Sequence, residues 1–228
     1  MSIEVSVVRV FADQGGRFGN RLGIVDASVV DPADRQEVAR RIGFSETVFL
    51  EVPDDSAHSV NVDIFTPAVE LPFAGHPTVG AAAWLAGRGT PVTVLEVKAG
   101  DVLVRQVDDI LSVRAKAEWC PNFEFHRVDS VEQVVDFDAA AYRTGHHYVW
   151  AWADEATGAV RSRMFAPDMG VAEDEATGSA AVRITELLGR DLDITQGRGS
   201  RLTTTFGDDG WIEVGGRVVR EPPFTIDS

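Results

Sequence analysis

Apolar positions along the chain fall mostly into short, β-branched runs, interrupted by helices built from small residues. The first run, residues 4–11, supplies Val5, Val7, Val10 and Phe11 and predicts a strand. Asp13-Gln14-Gly15-Gly16 makes a turn, and residues 21–25 return. A helix then opens at Asp31-Pro32, where Asp31 can cap and Pro32 suits the first turn. Val38, Ala39 and Ile42 share one face of it, and Gly43 can end it. Residues 47–52 and 60–65 read as short strands. Beyond Thr66-Pro67, Leu71-Pro72-Phe73-Ala74-Gly75-His76-Pro77 leads into a helix over 78–86, closed by Gly87. Pro77 is taken as its first residue. A meander follows over 92–98, 102–107 and 110–115.

The outline then repeats. Strands are predicted at 148–153 and 161–165. Ala166-Pro167 leads through Glu173-Asp174-Glu175-Ala176-Thr177-Gly178-Ser179 into a helix ending near Gly189. Strands at 201–206, 211–214 and 217–219 follow, with turns at Asp208-Asp209-Gly210 and Gly215-Gly216. Phe65-Thr66-Pro67 aligns with Phe165-Ala166-Pro167. With one gap, Thr78-Val79-Gly80-Ala81-Ala82 lies over Thr177-Gly178-Ser179-Ala180-Ala181. The pattern predicts an internally duplicated α+β fold, 1–117 and 118–228, each half wrapping a sheet about a central helix, with a linker near Cys120-Pro121-Asn122.

Composition narrows the function. With 36 acidic against 21 basic side chains the formal charge is −15, and the isoelectric point is near 4.6. A nucleic-acid surface or an anionic membrane would select the opposite sign. A single cysteine, Cys120, removes disulfide frameworks and cysteine zinc sites. His58, His76, His126, His146 and His147 show no metal-ligand spacing. The opening residues lack a basic stretch leading into an apolar one, and no apolar run approaches the ~18 residues of a membrane helix. The expectation is a cytoplasmic protein.

Three places carry candidate chemistry. The helix start that follows Gly75-His76 offers backbone N–H groups and partial positive charge to a carboxylate, with His76 able to move a proton; His76 could instead fill a polar gap. Asp174 and Glu175 stand before the second helix start, either as caps or as acids beside an anion-friendly corner formed by Thr177, Gly178 and Ser179. If the halves face each other, both helix starts meet in one cleft, with His76 on one side and Asp174 on the other. In Ser45-Glu46-Thr47, Glu46 enters an apolar strand. Burial would raise its pKa toward that of a general acid/base, whereas an exposed strand edge would leave it a solvated carboxylate.

These segments appear in a familiar order. Gly19-Asn20, Ser45-Glu46-Thr47-Val48-Phe49, Asp63-Ile64-Phe65-Thr66-Pro67 and Leu71-Pro72-Phe73-Ala74-Gly75-His76-Pro77-Thr78-Val79-Gly80 come first. Glu173-Asp174-Glu175-Ala176-Thr177-Gly178-Ser179-Ala180 and Ile194-Thr195-Gln196-Gly197 complete the series. Over nearly its whole length the chain resembles the PhzF family, phenazine-biosynthesis-like proteins with the diaminopimelate epimerase fold. The resemblance implies two pseudo-symmetric halves with the active site between them, and an isomerase that needs neither metal nor cofactor. It places the proton-moving glutamate at Glu46, with His76 and Asp174 as its catalytic companions. Ser45, Gly75, Thr177, Gly178 and Ser179 become substrate contacts, and the substrate a small cyclic or amino-acid-like carboxylate. A homodimer is implied as well.

The chain departs from the family at Glu175, where a proline is common. The extra acid is expected to raise the pKa of Asp174 or repel an anionic substrate. Arg198-Gly199-Ser200 replaces a common Arg-Pro-Ser, and the second half is short. These departures motivate the alternative of a non-catalytic ligand-binding protein. Two-cysteine racemases of the same fold are excluded, because the helix starts carry His76 and Asp174-Glu175, while Cys120 lies outside both. Trp84, Trp119, Trp150, Trp152 and Trp211 are read chiefly as core, and His146-His147 as possible neighbours of the site.

Overall fold

A computed structural model describes residues 2–54, 57–108 and 110–227. The first half contains β1 (Ser2–Ala12), β2 (Asn20–Asp26), α1 (Arg35–Ile42), β3 (Glu46–Leu50), β4 (Ser59–Phe65), the short β5 (Glu70–Leu71) and α2 (Gly75–Ala86). It ends with β6 (Val94–Val97), β7 (Gly100–Val107) and β8 (Ile110–Lys116). The second half contains β9 (Glu124–Arg127), α3 (Val131–Val135), β10 (His147–Asp154), β11 (Ala159–Ala166), β12 (Val171–Asp174) and α4 (Gly178–Leu188). β13 (Leu192–Gln196), β14 (Ser200–Phe206) and β15 (Trp211–Asp227) complete it.

The strands pair in the order β1-β2-β3-β4-β6-β7-β8-β15, and β15 pairs again with β1, so these eight form a closed ring. From β15 the sheet continues through β14, β13, β11 and β10 to β9. The expected mixed sheets about central helices are therefore present. α2 fills the ring: ten of its twelve residues are buried, so it has no solvent face and needs no amphipathic stripe. Small side chains make that possible. A Cβ on Gly80 would stand 2.5 Å from Leu22 Cδ2 and 2.8 Å from Val10 Cγ2. In the second half α4 buries Ala180, Ala181, Val182 and Ile184, and the hydroxyls of Thr185 and Thr204 meet at 2.6 Å inside it.

The start and stop residues predicted for α1 are present, but Asp31 and Pro32 open a 3-10 turn over Pro32–Asp34 that leads into the helix at Arg35. The Asp31 carboxylate accepts from Ala33 N at 2.9 Å, and Gly43 ends the helix in the left-handed region at φ 72°. Pro77 is the third residue of α2, not its first; its missing N–H still falls among the donors that a helix start leaves unpaired.

One prediction is corrected. Gly215-Gly216 is not a turn between two strands. It lies within the continuous strand β15, whose residues 211–216 pair with β8 and whose residues 217–227 pair with β1. A Cβ on Gly215 would meet Leu111 O at 2.8 Å, and one on Gly216 would meet Arg201 O at 2.8 Å. The glycines are there because backbones approach closely where the strand passes from its pairing with β8 to its pairing with β1.

Cys120 is a core residue, and burial pushes its thiol up to about 12. No described helix is long and apolar enough to cross a membrane.

Candidate active site

The starts of α2 and α4 touch. A Cβ placed on Gly75 would come within 2.9 Å of the Gly178 carbonyl carbon, and one on Gly178 within 2.9 Å of His76 N. Only two glycines allow the two helix ends to abut. Neither helix is capped by the side chain of its N-cap residue, Ala74 or Thr177. Beside this junction lies a cleft of about 720 Å³, lined by Ser45, Glu46, Asp174, Thr177 and Ser179 among others.

Gly43 turns the chain out of α1 so that Glu46, just after Ser45, opens β3 beside Leu22 of β2. Glu46 thus arrives at the cleft with Val48 and Phe49 anchored in the core. Its Oε2 lies 3.3 Å from His76 Nδ1 on the first turn of α2. The contact is close without being aligned as a hydrogen bond: Glu46 Oε2 and His76 Nε2 are both buried without a hydrogen-bond partner among the described residues. Buried polar atoms are rarely left without a partner, so two such atoms side by side call for a reason.

Asp174 ends β12 on the opposite wall, and its carboxylate is held on both oxygens. Asn20 Nδ2, at the start of β2 in the other half, donates to Oδ1 at 2.6 Å, and Thr177 Oγ1 donates to Oδ2 at 2.5 Å. Gln196 braces this arrangement. Its Nε2 donates to Thr177 Oγ1 at 2.8 Å and to Asp174 O at 2.9 Å, and its Oε1 accepts from Thr177 N at 3.2 Å. The Thr177 hydroxyl therefore orients Asp174 and does not cap α4.

Burial sets the protonation of the trio. It raises Glu46, with only a hydrogen bond to Ser45 opposing it. It pushes Asp174 up to about 6, aided by the nearby Glu46 and opposed by Thr177, Asn20 and His76. It drives His76 down to about 4, against the pull of Asp174 and a backbone hydrogen bond at Arg21. Near neutral pH the site is a neutral imidazole between two carboxyl groups whose charged forms are disfavoured.

All eight residues singled out from the sequence, Ser45, Glu46, Gly75, His76, Asp174, Thr177, Gly178 and Ser179, lie at this junction. Asn20 and Gln196, which sequence reasoning leaves without a role, belong to the site as well. No local signal marks them, because each acts across a long sequence separation. Glu175 corrects an expectation: it adds no charge to the cleft. Its carboxylate accepts from Arg198 N at 3.0 Å, Arg198 Nε at 2.9 Å and Ser200 Oγ at 2.9 Å, and Glu46, not Glu175, is the acid that raises Asp174. The Arg198–Ser200 segment thus holds Glu175 and lies outside the cleft lining. No tryptophan lines the cleft; its aromatic wall is Phe44, Phe73 and Phe123. His146 is at the cleft, whereas His147 points to a different cluster.

Acids and a histidine gathered where two central helices meet place the chain in a class of two-halved α+β folds with the candidate site at the junction. The comparisons agree. The chain belongs to the PhzC-PhzF family, phenazine biosynthesis-like proteins, matching it over residues 8–135 and 127–210. It is 29% identical over 205 residues to a trans-2,3-dihydro-3-hydroxyanthranilate isomerase of Pseudomonas fluorescens, a match covering 72% of each chain. An uncharacterized isomerase of Mesorhizobium japonicum is 47% identical over 89 residues, which cover 37% of this chain but only 30% of that relative. Among solved structures, a PhzF-family protein of Enterococcus faecalis superposes with a TM-score of 0.81 at 20% identity, covering 100% of both chains. At that identity the likeness shows the fold.

Proposed function

We propose that this protein is an isomerase that moves a proton between carbons of a small cyclic or amino-acid-like carboxylate, with Glu46 as the carrier. The observation that carries the proposal is Glu46, which lines the cleft while its Oε2 is buried, unpartnered and 3.3 Å from His76 Nδ1. A desolvated carboxylate is a stronger base than one in water, and its raised pKa suits it to hand the proton back.

The reaction balances within the substrate and Glu46. Glu46 takes a proton from one carbon, the substrate's π electrons shift, and the same proton is delivered to a second carbon. Glu46 ends as it began. His76, neutral, sits against Glu46 and offers Nε2 to the substrate. Asp174, held by Asn20 and Thr177, supplies the opposing polar wall. The abutting N-termini of α2 and α4 provide backbone donors and partial positive charge for the substrate carboxylate. The step needs no redox or group-transfer partner. The cleft volume lies within the ~300–1,000 Å³ common for small-molecule sites. The first compound to assay is trans-2,3-dihydro-3-hydroxyanthranilate, named for the Pseudomonas relative.

Of the grounds for a non-catalytic ligand-binding protein, the Arg198 and Ser200 contacts remove the one that rests on Glu175 as a disabling charge; the short second half is what the exchange experiment must answer. The experiment that tests the proposal is deuterium incorporation from D2O, followed by NMR across a panel of small carboxylates, comparing the parent protein with Glu46→Gln. Exchange at a C–H position that disappears in Glu46→Gln supports it. A ligand that binds to both proteins without exchange in either would overturn it.

A further inference from the structure

β9 runs parallel to β10, with His147 opposite Glu124 and Val149 opposite His126. Glu124 and His126 are two residues apart on one strand, so their side chains leave the same face of the sheet, and His147 joins them from the adjacent strand. The result is a tight cluster outside the cleft. His126 Nε2 lies 3.1 Å from His147 Nδ1, and Glu124 Oε2 lies 3.6 Å from that same Nδ1. All three residues offer a ligand atom within 4.8 Å of the others. Two donors each about 2.0–2.2 Å from a tetrahedral zinc ion stand roughly 3.3–3.5 Å apart, so these separations need little adjustment.

The cluster is also oriented. His147 is buried, and its Nε2 is 2.6 Å from the Thr144 carbonyl, which fixes the proton on Nε2 and leaves the Nδ1 lone pair directed at the cluster. A carbonyl on the far nitrogen is the usual outer partner of a metal-binding histidine. The Tyr142 ring stacks on His147 at 3.6 Å and 10°, holding the imidazole plane. Gly145 leaves room for the group: a Cβ there would stand 2.9 Å from His147 Nε2 and 3.3 Å from Glu124 Oε1. Glu124 is 66% exposed, which opens a path from solvent and a position for water.

We propose that Glu124, His126 and His147 form a binding site for one divalent transition-metal ion of the zinc class, separate from the proposed active site. Two imidazoles and one carboxylate favour such borderline ions over magnesium or calcium, which prefer all-oxygen sites. Without the ion the 3.1 Å contact is a hydrogen bond between the two rings. The ion takes its place when the His126 proton moves to the other ring nitrogen. Occupancy would pin the edge strand β9 to β10 and stiffen the segment that carries His146 to the cleft wall.

The test uses the full chain, stripped with a chelator and titrated with Zn2+ against a chromophoric competitor. The expected result is one ion per chain, with His126→Gln and Glu124→Gln each weakening binding by more than about tenfold, as loss of a direct ligand should. Both residues lie on an edge strand and are not fully buried, and unchanged far-UV spectra and unfolding midpoints of the metal-free variants confirm that they fold. Glu46→Gln must bind like the parent protein. Absence of one-to-one binding, binding insensitive to His126→Gln, or binding lost in Glu46→Gln would each overturn the site.

Discussion

Replacing Gly75 with alanine places a Cβ 2.9 Å from the carbonyl carbon and 3.0 Å from the Cα of Gly178. Ordinary contact begins at 3.4 Å, so the two helix starts must part by about half an ångström. The opposing atoms are backbone, and no flexible side chain can yield. Gly75 has an ordinary negative-φ helical backbone, so the penalty is steric alone. Forcing a methyl into packed surroundings costs about 1–3 kcal/mol. Gly178→Ala makes the reciprocal clash with His76 N and should cost a similar amount. Because one separation relieves both, the double variant should lose at least about 0.5 kcal/mol less than the sum of the singles. Urea unfolding with a common slope measures all three. The same half ångström displaces His76 relative to Asp174. With about a hundredfold lost per ångström of misplacement, turnover should fall roughly tenfold in each single variant. Single costs below about 0.5 kcal/mol, or strictly additive costs, would refute the view that these glycines exist to let the helices touch.

Further outcomes follow from the site. Glu46→Gln should lower turnover by about 10²–10⁴-fold while calorimetry still detects ligand, because the amide keeps the shape and loses the proton carrier. Asn20→Ala removes a hydrogen bond that favours the Asp174 carboxylate, so the acidic limb of the pH–rate profile should move to higher pH; an unmoved limb would show that Asn20 does not set this titration. Asp174→Asn should change how stability depends on pH. Between its ordinary value of 3.8 and about 6, Asp174 keeps a proton when folded that the unfolded chain releases, so it makes stability fall as pH rises. His76 shifts the other way and Glu46 the same way as Asp174, but both are present in each protein. Relative to the parent, the variant should therefore gain up to about 1.4 kcal/mol per pH unit across that window, and a constant difference would count against a buried, proton-holding Asp174. Tyr148→Phe should cost about 1–3 kcal/mol in thermal or urea unfolding, since its hydroxyl donates to the buried Ser162 Oγ at 2.8 Å and its loss strands that group.

The site was legible where its chemistry is local. Gly75-His76 and Thr177-Gly178-Ser179 announce helix starts by residue type, and Glu46 announces itself as a charge entering an apolar strand. Facing helix starts follow from duplication, and the touching glycines are its structural counterpart. What stayed hidden depends on contacts between distant segments. Asn20 reads as one more turn residue until β2 brings it to Asp174, and Gln196 reads as a strand residue until it clamps Thr177. Glu175 looked like added charge because sequence shows a side chain's sign and not its direction. Gly215-Gly216 has the composition of a turn, yet the same lack of a Cβ serves a crowded crossing. Likewise Glu124, His126 and His147 match no linear ligand spacing, because strand pairing, not helical periodicity, aligns them.

The course of β15 also bears on how the chain assembles. Ser2 pairs with Asp227, and the pairing continues to Ala12 against Arg217, so the ring around α2 is sealed by residues translated more than two hundred positions later. Until those residues leave the ribosome, the half made first has an open seam: β1 has β2 on one side and an unpaired edge on the other. Such an edge invites pairing with other chains. Closing so long a loop adds only a slowly growing entropy term, but it couples the order of folding in one half to completion of the other. A nascent chain stalled short of β15 should therefore be more prone to associate through β1 than one released with that strand in place.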